Sequence, residues 1–393
     1  MSILFLMPFC NIPSELWMQR MIDELADNIY AIGSWDCEDN YGHDKIKCIN
    51  VEDHDKSIYK KSTNKILSKL LYKLGVKNKM IKRFDYSKQI INAINDDSVS
   101  IIFIHFLNYA LLFENILYTT NKPVFVHCHG WDVTWDMRYY DNPNKKMHDN
   151  RYISDTLDFS KRVTFIANSN TTKQKLVDIG VDENKIIVKY LGVPVHECYK
   201  HNNINEFNII YIGRFIDCKG PDLVIKAYNI AMDQGLNANL IMAGDGPLYK
   251  ECLRLKSESK FKDRITLLGA IDGKKGEELR SEASIFTAHN CYGKNTHQEE
   301  AYGVSLVEAM GCGIPVITGK SGSTSEIIDN GINGILVEPG DVIGHANAFL
   351  KLRYNSELRT SIGYNAWLKA KNKYSIEQEK NKLMNIFYKV NIK

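Results

Sequence analysis

Two cations share one glycine-containing turn of this sequence. Arg214 and Lys219 lie in the segment Tyr-Ile-Gly-Arg-Phe-Ile-Asp-Cys-Lys-Gly-Pro, residues 211–221, between a predicted strand and a predicted helix. A glycine lets the backbone approach a ligand closely, and the start of a helix offers free N–H groups and a positive dipole end. Arginine adds a planar fork of donors and lysine a mobile point charge. The turn is therefore a candidate phosphate site, although two solvated cations beside a tight turn would look the same.

Two glutamates with seven residues between them form the second candidate group. Glu300 lies in a predicted loop, and Glu308 lies on the helix that follows it. Carboxylates accept pairs of hydrogen bonds from the vicinal hydroxyls of a sugar or ribose. That helix is predicted to begin at Gly303 and Val304, whose free N–H groups suit a diphosphate. Exposed glutamates eight positions apart are common, so the prediction depends on Gly303 and on the small-residue end of the helix before Pro315.

Five segments of the second half, in this order, resemble the retaining GT-B glycosyltransferases of family four (glycosyl transferases group 1). That family includes sucrose synthases, glycogen synthases and many lipopolysaccharide and capsule enzymes. The segments are GR…KG at 213–220, AGDGP at 243–247, LLGAID at 267–272, the two-glutamate segment at 300–308 and PVI at 315–317. Together they extend over nearly all of the second half, and they imply an enzyme of the bacterial surface-polysaccharide type.

The resemblance implies a role for each matching residue at a nucleotide-sugar donor site. Arg214 and Lys219 would bind the diphosphate and stabilise the charge that develops on the leaving nucleotide. Glu300 would hold hydroxyls of the donor sugar near the anomeric carbon, and Glu308 would hold those of the ribose. The other donor-binding residues that it implies are Gly213, Ala270, Ile271, Gly303 and Val304. Neither a cofactor nor a metal is expected, because the two cations can take the place of a metal.

A histidine pair ends a predicted strand of the first half. In the segment VFVHCHGWD, residues 124–132, His127 and His129 share one face of the strand. His129 and Gly130 resemble the family's HG-x-D element, whose histidine lines the cleft near the donor sugar, and His129 is therefore a predicted catalytic residue. An H-x-H metal pair is conceivable, but no third ligand is close in sequence. A buried or cleft-lining role is preferred for that reason.

Two segments depart from the family pattern. Many relatives carry a Gly-Gly loop after the first strand, whereas this chain has Pro-Phe-Cys-Asn-Ile-Pro at residues 8–13. The acceptor contacts that relatives make through their Gly-Gly loop therefore cannot be assigned to residues of this loop. His289 and Asn290 replace the usual Pro-Ser before the glutamate loop, and the segment CYGKNTHQ follows them. We expect this second loop to shape the specificity for the sugar.

Short apolar runs alternate with segments of helical period along the whole chain, which is typical of parallel sheets with crossover helices. The predicted strands are 3–7, 99–105, 124–129, 163–167, 186–189, 207–212, 239–243, 265–268, 285–288, 315–318 and 335–337. They predict an α/β fold of the GT-B class, with two Rossmann-like domains whose parallel sheets face a central cleft. We expect an acceptor-side domain at 1–195, a nucleotide-sugar-binding domain at 206–374, and a last helix at 375–393 that packs back on the first domain.

Length and composition narrow the class of protein. The 393 residues suffice for two domains, and a net charge of +3 provides no argument for a nucleic-acid partner. The nine cysteines are scattered and odd in number, which predicts a reduced, cytoplasmic protein without a disulfide framework. The N-terminus lacks the basic leader of a signal peptide, and polar residues interrupt the longest apolar stretch, 99–118. No transmembrane helix is expected.

A basic block between Lys56 and Lys88 holds eleven Lys or Arg residues and a single acid, Asp85. Its isoleucine and leucines at 66, 67, 70, 71 and 74 fall at helical spacing beside lysines, which suits an anionic membrane surface and a peripheral membrane protein. A helix packed on its own sheet, with a solvated lysine face, is the equal alternative. Just before the block, Asp53 and Asp55 form a D-x-D sequence, for which a solvated acidic turn is favoured over a metal site.

The predicted function is that of a retaining hexosyltransferase (EC 2.4). It would move a sugar from a nucleoside-diphosphate donor, with UDP as the expected nucleotide, to a hydroxyl of a saccharide or lipid-linked saccharide. The expected setting is bacterial polysaccharide or lipopolysaccharide synthesis, and retention follows from the resemblance alone. The alternatives are a non-catalytic nucleotide-sugar-binding module, which would not hydrolyse the donor, and a GT-B epimerase, which would release nucleotide without an acceptor.

Overall fold

The computed structural model describes residues 1–9, 15–36, 46–51, 86–199 and 206–391. Within these residues, the chain forms two parallel β-sheets in succession. The first has the strand order β3-β2-β1-β4-β5-β8-β9, and the second has the order β12-β11-β10-β13-β14-β15. In each sheet the chain begins at an inner strand, adds the next two strands outward on one side, and then adds the remaining strands on the other side. This is the doubly wound pattern. A crevice for ligands lies at the carboxyl ends of the strands where the order reverses.

The strands of the first sheet are β1 (Ile3–Leu6), β2 (Ile29–Ser34), β3 (Lys47–Asn50), β4 (Ile101–His105), β5 (Val124–Cys128), β8 (Thr164–Ala167) and β9 (Ile186–Val188). Those of the second sheet are β10 (Asn208–Ile212), β11 (Asn239–Ala243), β12 (Ile265–Leu267), β13 (Ile285–Thr287), β14 (Val316–Gly319) and β15 (Ile335–Val337). An antiparallel hairpin is formed by β6 (Arg138–Tyr139) and β7 (Asn142–Lys146).

The α-helices of the first half are Leu16–Leu25, Lys88–Asn95, Leu107–Ala110, Glu114–Leu117, Tyr152–Ser160 and Asn170–Asp178. Those of the second half are Pro221–Asp233, Tyr249–Glu258, Gly273–Ser281, Val304–Gly311, Thr324–Ile327, Val342–Tyr354, Ser356–Lys373 and Ile376–Asn391. The helix Val304–Gly311 begins where the sequence predicts it.

The predicted strands are all present, with ends within two residues of the predicted ones. Strands β1, β4 and β5 are buried along their whole length, because helices cover both faces of a parallel sheet, and their sequences are accordingly unbroken apolar runs. Strands β2 and β3 and the hairpin were not predicted. Strand β3 is short and has exposed ends, and every residue of β7 is exposed, so neither carries an apolar pattern.

The last helix, Ile376–Asn391, packs on the first sheet. The ring of Phe387 lies 5.3 Å from that of Phe103 and 5.1 Å from that of Phe125, measured between centroids. Glu379 on the same helix forms a fully buried ion pair with Lys189, the residue after β9. The end of the chain therefore ties the second half of the molecule to the first.

Cys48 is disulfide-bonded, so the expectation of a chain without disulfides was wrong at this position. The other described cysteines are free. None of the helices in the described ranges is both long and apolar enough to cross a membrane. The D-x-D sequence of Asp53 and Asp55, the block at 56–85 and most of the loop at 8–13 lie outside the described residues.

Candidate active site

Strands β10 and β13 are neighbours at the point where the order of the second sheet reverses, and their carboxyl ends deliver the two halves of the candidate site. Arg214 follows β10 (Asn208–Ile212), and Glu300 lies in the loop after β13 (Ile285–Thr287). Because parallel strands end at the same edge of a sheet, residues more than eighty positions apart come together there.

Sterically, the cationic turn needs a glycine at position 220. Gly220 has a left-handed φ of 56° and caps the helix Pro221–Asp233. A Cβ atom at this position would lie 2.4 Å from the carbonyl oxygen of His289, so no larger residue fits without displacing backbone. The turn holds Lys219 in place, and its Nζ donates a hydrogen bond to the carboxylate of Glu300.

Glu300 is a buried, paired carboxylate that is 6% exposed. Its carboxylate accepts hydrogen bonds from Nζ of Lys219 and from the side-chain amide of Asn290. Burial opposes ionisation of Glu300, but the charge and hydrogen bond of Lys219, the amide of Asn290 and the charge of Arg214 together keep its pKa below the usual value. Asn290, noted in the sequence as a departure from Pro-Ser, thus contacts the site directly.

The start of the helix Val304–Gly311 is available to a ligand. Gly303, its N-cap, has a φ of 76°, and no side chain caps the helix among the described residues. A Cβ atom at Gly303 would approach the carboxyl carbon of Glu300 to 3.5 Å, so the backbone turns tightly beside that carboxylate. The N–H groups at this end are therefore placed next to Glu300 and can receive an anion.

Glu308 is held by two arginines that the sequence did not single out. Its Oε1 lies 2.7 Å from Nη1 of Arg20, on the helix Leu16–Leu25 of the first half. Its Oε2 lies 3.1 Å from Nη1 of Arg280, on the helix Gly273–Ser281. Arg20 carries no signal in the sequence, because only the packing of the two halves brings it to this carboxylate.

Arg214 is exposed, and its charge acts on two carboxylates on different halves of the molecule. One is Glu300, whose pKa it helps to lower. The other is Glu15, directly before the helix Leu16–Leu25, where burial raises the pKa to about 7 and the charge of Arg214 partly counteracts that rise. Glu15 was not predicted as a site residue, and it puts a carboxyl group with a shifted pKa near the candidate phosphate site.

Ala270 and Ile271 lie past the end of β12 (Ile265–Leu267), at the rim of the second sheet. Ala270 is exposed and Ile271 is half-buried. Close by, a Cβ atom at Gly273 would lie 2.8 Å from the side chain of Leu16, so this rim faces the first half of the molecule. Gly213 follows β10, and its N–H donates to the carbonyl of Ala243 at 3.0 Å.

The His129 loop of the first half touches the Glu300 loop of the second. The carboxylate of Asp132 accepts hydrogen bonds from the backbone N–H of His129 at 2.8 Å and of Gly130 at 2.9 Å. A Cβ atom at Gly130 would lie 2.1 Å from Cβ of Ala301, which shows how closely the two loops approach. The residues that follow His129 and Glu300 therefore meet across the cleft.

A third histidine joins the pair that was noted in the sequence. Nδ1 of His105, the last residue of β4, lies 3.2 Å from Nε2 of His129. His105 and His127 are fully buried, and burial, with the charge of Lys189 and the neighbouring imidazoles, lowers the pKa values of all three histidines well below the ordinary value. All three rings are therefore neutral at physiological pH.

The loop at 291–299 is bound to both halves of the molecule. Asp217 accepts hydrogen bonds from the backbone N–H of Asn295 and from both N–H and hydroxyl of Thr296. On the other side, Nδ1 of His297 lies 2.9 Å from a carboxylate oxygen of Asp136. The loop therefore spans the cleft at the edge of the candidate site.

Two protein-family models match the chain. The model described as Glycosyl transferases group 1 matches residues 200–368, and that described as Glycosyltransferase Family 4 matches residues 63–197. The match to the second model includes the loop of His129, and the match to the first includes Arg214, Lys219, Glu300 and Glu308.

Curated relatives are similar over part of their length. The chain is 28% identical over 182 residues to N-acetyl-alpha-D-glucosaminyl L-malate synthase of Bacillus anthracis, which is 46% of this chain and 45% of that protein. It is 25% identical over 243 residues to the capsular polysaccharide biosynthesis glycosyltransferase CapM of Staphylococcus aureus, 61% of this chain and 59% of that protein. The chain spans about half the length of the curated relatives it matches.

Solved structures are similar over the whole fold. HepE of Anabaena in complex with UDP and glucose superposes with a TM-score of 0.73 at 17% identity and covers 99% of both chains. Sucrose-phosphate synthase of Thermosynechococcus elongatus has a TM-score of 0.71 at 17% identity and also covers 99% of both. With its two facing parallel sheets and its matches to both family models, the chain belongs to the GT-B glycosyltransferases of family four.

Proposed function

We propose that this protein transfers a sugar from a nucleoside-diphosphate donor, UDP-linked, to a hydroxyl of a saccharide or lipid-linked saccharide, with retention at the anomeric carbon. The observation that carries the proposal is the group formed by Lys219, Glu300 and the uncapped start of the helix Val304–Gly311. UDP is supported by its presence, with glucose, in the structure of HepE.

The donor diphosphate fits the positive side of this group. Arg214, which is exposed, and Lys219 both lie in the turn after β10 (Asn208–Ile212). The N–H groups of Gly303 and Val304 approach from the end of the adjacent strand, β13 (Ile285–Thr287). Phosphate oxygens accept hydrogen bonds from all of these donors, and two cations suffice to neutralise a diphosphate without a metal.

Glu300 fits the sugar. It is ionised and buried, so its carboxylate can accept hydrogen bonds from donor-sugar hydroxyls and can stabilise positive charge at the anomeric carbon. Lys219 and Arg214 stabilise the negative charge on the departing diphosphate at the same time. The departing nucleotide and the positively charged sugar would form a short-lived ion pair. An acceptor hydroxyl that attacks the anomeric carbon from the face that the nucleotide leaves would then give retention. His129 lies across the cleft beside the sugar.

Glu308, with Ala270 and Ile271, fits the nucleoside. Its carboxylate accepts from the ribose hydroxyls, and the rim at Ala270 and Ile271 contacts the base. The acceptor side belongs to the first half. Similarity to CapM, a capsular polysaccharide biosynthesis glycosyltransferase, supports a role in surface-polysaccharide synthesis.

A donor screen tests the proposal. Thermal unfolding is measured with UDP-, GDP- and ADP-sugars, and nucleotide release is then measured with the stabilising donor, with and without saccharide acceptors. Arg214→Ala should abolish the stabilisation by donor and lower turnover by about two to three orders of magnitude. Arg254→Ala is the matched control, because this arginine is exposed and pairs with Glu251 and Glu258 on its own helix.

The same experiment separates the alternatives. A non-catalytic binding module would be stabilised by a donor and would release no nucleotide under any condition. An epimerase would release nucleotide without an acceptor. If no nucleotide sugar changes the unfolding temperature of the wild-type protein, the proposed donor site is wrong.

A further inference from the structure

Three histidines meet at the carboxyl edge of the first sheet. His105 ends β4, His127 lies opposite it on β5, and His129 follows β5. Each ring offers one nitrogen such that all three nitrogens lie within 4.8 Å of one another. The register of two parallel strands places His105 beside His127, and His129 lies directly after the end of the second of these strands.

Four ring nitrogens of this cluster have no hydrogen-bond partner among the described residues. They are Nε2 of His105, both Nδ1 and Nε2 of His127, and Nδ1 of His129. A buried polar nitrogen without a partner is destabilising, and native proteins satisfy nearly all such groups. His127, which is fully buried, satisfies neither of its nitrogens.

A second buried histidine pair in this chain shows the contrast. Nδ1 of His289 and Nδ1 of His345 share a hydrogen bond of 2.8 Å. Nε2 of His345 bonds the hydroxyl of Thr287 at 2.7 Å, and Nε2 of His289 accepts from the N–H of Gly340 at 2.8 Å. Every ring nitrogen of that pair has a partner, whereas neither nitrogen of His127 has one among the described residues.

We propose that His105, His127 and His129 bind one divalent first-row transition-metal ion, with Zn²⁺ as the expected ion. Imidazole is a favoured ligand of this ion, and three protein ligands leave a fourth position for a water molecule or a substrate oxygen. Nδ1 of His105 and Nε2 of His129 lie 3.2 Å apart. That separation is close to the roughly 3.3 Å expected between two nitrogens bound to one tetrahedral Zn²⁺ at about 2.0–2.1 Å.

The remaining ligand is His127, whose ring packs against both others. Its ring centroid lies 4.2 Å from that of His129 and 5.1 Å from that of His105. The three ligand nitrogens lie within 4.8 Å of one another. Bringing them all to about 3.3 Å around one ion requires the ring of His127 to turn about χ2, a torsion with a broad range in histidine. Trp17 packs against the cluster, with its ring centroid 4.3 Å from that of His129.

The charges near the cluster are compatible with a bound cation. The carboxylate of Asp132 is bound to the backbone N–H of His129 and contributes negative charge beside the cluster. The buried cation Lys189 is neutralised by Glu379. Ligation through Nε2 of His129 would leave the proton on its Nδ1, so the ion would also fix the tautomer of a residue that faces the cleft.

Metal titration of the full chain tests the proposal without any donor or acceptor, so its outcome is independent of the proposed transferase activity. The protein is stripped with a chelator, and Co²⁺ is added while the visible d–d absorption is recorded. Zn²⁺ is then added to displace it. We expect saturation at one equivalent of Co²⁺, an absorption typical of four- or five-coordinate sites, loss of that absorption with Zn²⁺, and a higher unfolding temperature with metal.

Two variants and one control assign the ligands. His105→Gln and His127→Gln should lose the Co²⁺ absorption and the thermal shift, and His345→Gln, a buried histidine of the satisfied pair, should keep both. Metal-free wild-type protein that gives no absorption at one equivalent of Co²⁺ overturns the proposal, and this result needs no variant. An unchanged Co²⁺ spectrum in folded His127→Gln overturns it as well, because the metal then binds elsewhere.

Discussion

Nη1 of Arg20 and Oε1 of Glu308 lie 2.7 Å apart and join the two halves of the molecule across the cleft. Both side chains are largely buried, at 17% and 13% exposure, and the second oxygen of Glu308 is bound by Arg280. Each carboxylate oxygen keeps a further lone pair. Glu308 can therefore accept one hydroxyl of a ribose on each oxygen while the two arginines keep it oriented.

Arg20→Ala should raise the KM for the donor by about three- to tenfold, or about 0.7–1.4 kcal/mol of binding free energy, with kcat nearly unchanged. The physical reason is that Glu308 loses one of its two orienting partners without losing its charge. Steady-state kinetics with varied donor concentration measures the effect, and Gln19→Ala, an exposed neighbour on the same helix, is the control. A lower KM in Arg20→Ala would show instead that Arg20 competes with the ribose.

Glu300→Ala should lower kcat by about two to three orders of magnitude. The substitution removes the carboxylate that the proposed function places next to the anomeric carbon, and it leaves Lys219 without the partner to which its Nζ donates. Glu299→Ala is a stringent control, because it removes the adjacent carboxylate from the same loop and should change kcat by less than about threefold. Equal losses in the two variants would mean that the loop, and not the carboxylate of Glu300, is responsible.

The sequence predicted those parts of the fold and site that are local. Turn glycines, the helix start at Gly303 and the apolar runs of the buried strands each have a local cause, and they lie where they were expected. The contacts of Glu308 with Arg20 and of His127 with His105 depend on the packing of halves and the register of strands. No spacing along the chain encodes them, so they required the structure.

Glu15 should make stability depend on pH. Its pKa is raised from 4.5 to about 7, chiefly by burial, so the folded protein binds this proton more tightly than the unfolded chain. The free energy of unfolding therefore falls as pH rises through this interval, by an amount on the order of 1 kcal/mol. In Glu15→Gln, urea denaturation at about pH 5 and about pH 8 should show a smaller fall than in wild type. Identical changes in both proteins would contradict the assignment.

Asp217→Ala should loosen the loop at 291–299. The carboxylate accepts three hydrogen bonds from Asn295 and Thr296, and no other described side chain accepts from their N–H groups. Hydrogen–deuterium exchange should become faster at these amides, by about tenfold or more, and the preference between donor sugars should weaken. Asp263→Ala, an exposed aspartate of the same half, should change neither. Unchanged exchange at Thr296 would show that other contacts hold the loop.

The buried pair of Lys189 and Glu379 should matter most when only one partner is removed. Glu379 also accepts a hydrogen bond from the N–H of Gly192 at 2.8 Å, and burial is the main cause that lowers the pKa of Lys189. Glu379→Gln leaves an uncompensated buried cation and should lower the free energy of unfolding by about 3–5 kcal/mol. The double variant Lys189→Met with Glu379→Gln should recover much of this loss, because no charge then remains buried. Urea denaturation is measured for wild type, for Lys189→Met and Glu379→Gln alone, and for the double variant, which completes a double-mutant cycle. Additive losses in the double variant would show that the cost arises from packing of the last helix and not from the unpaired charge.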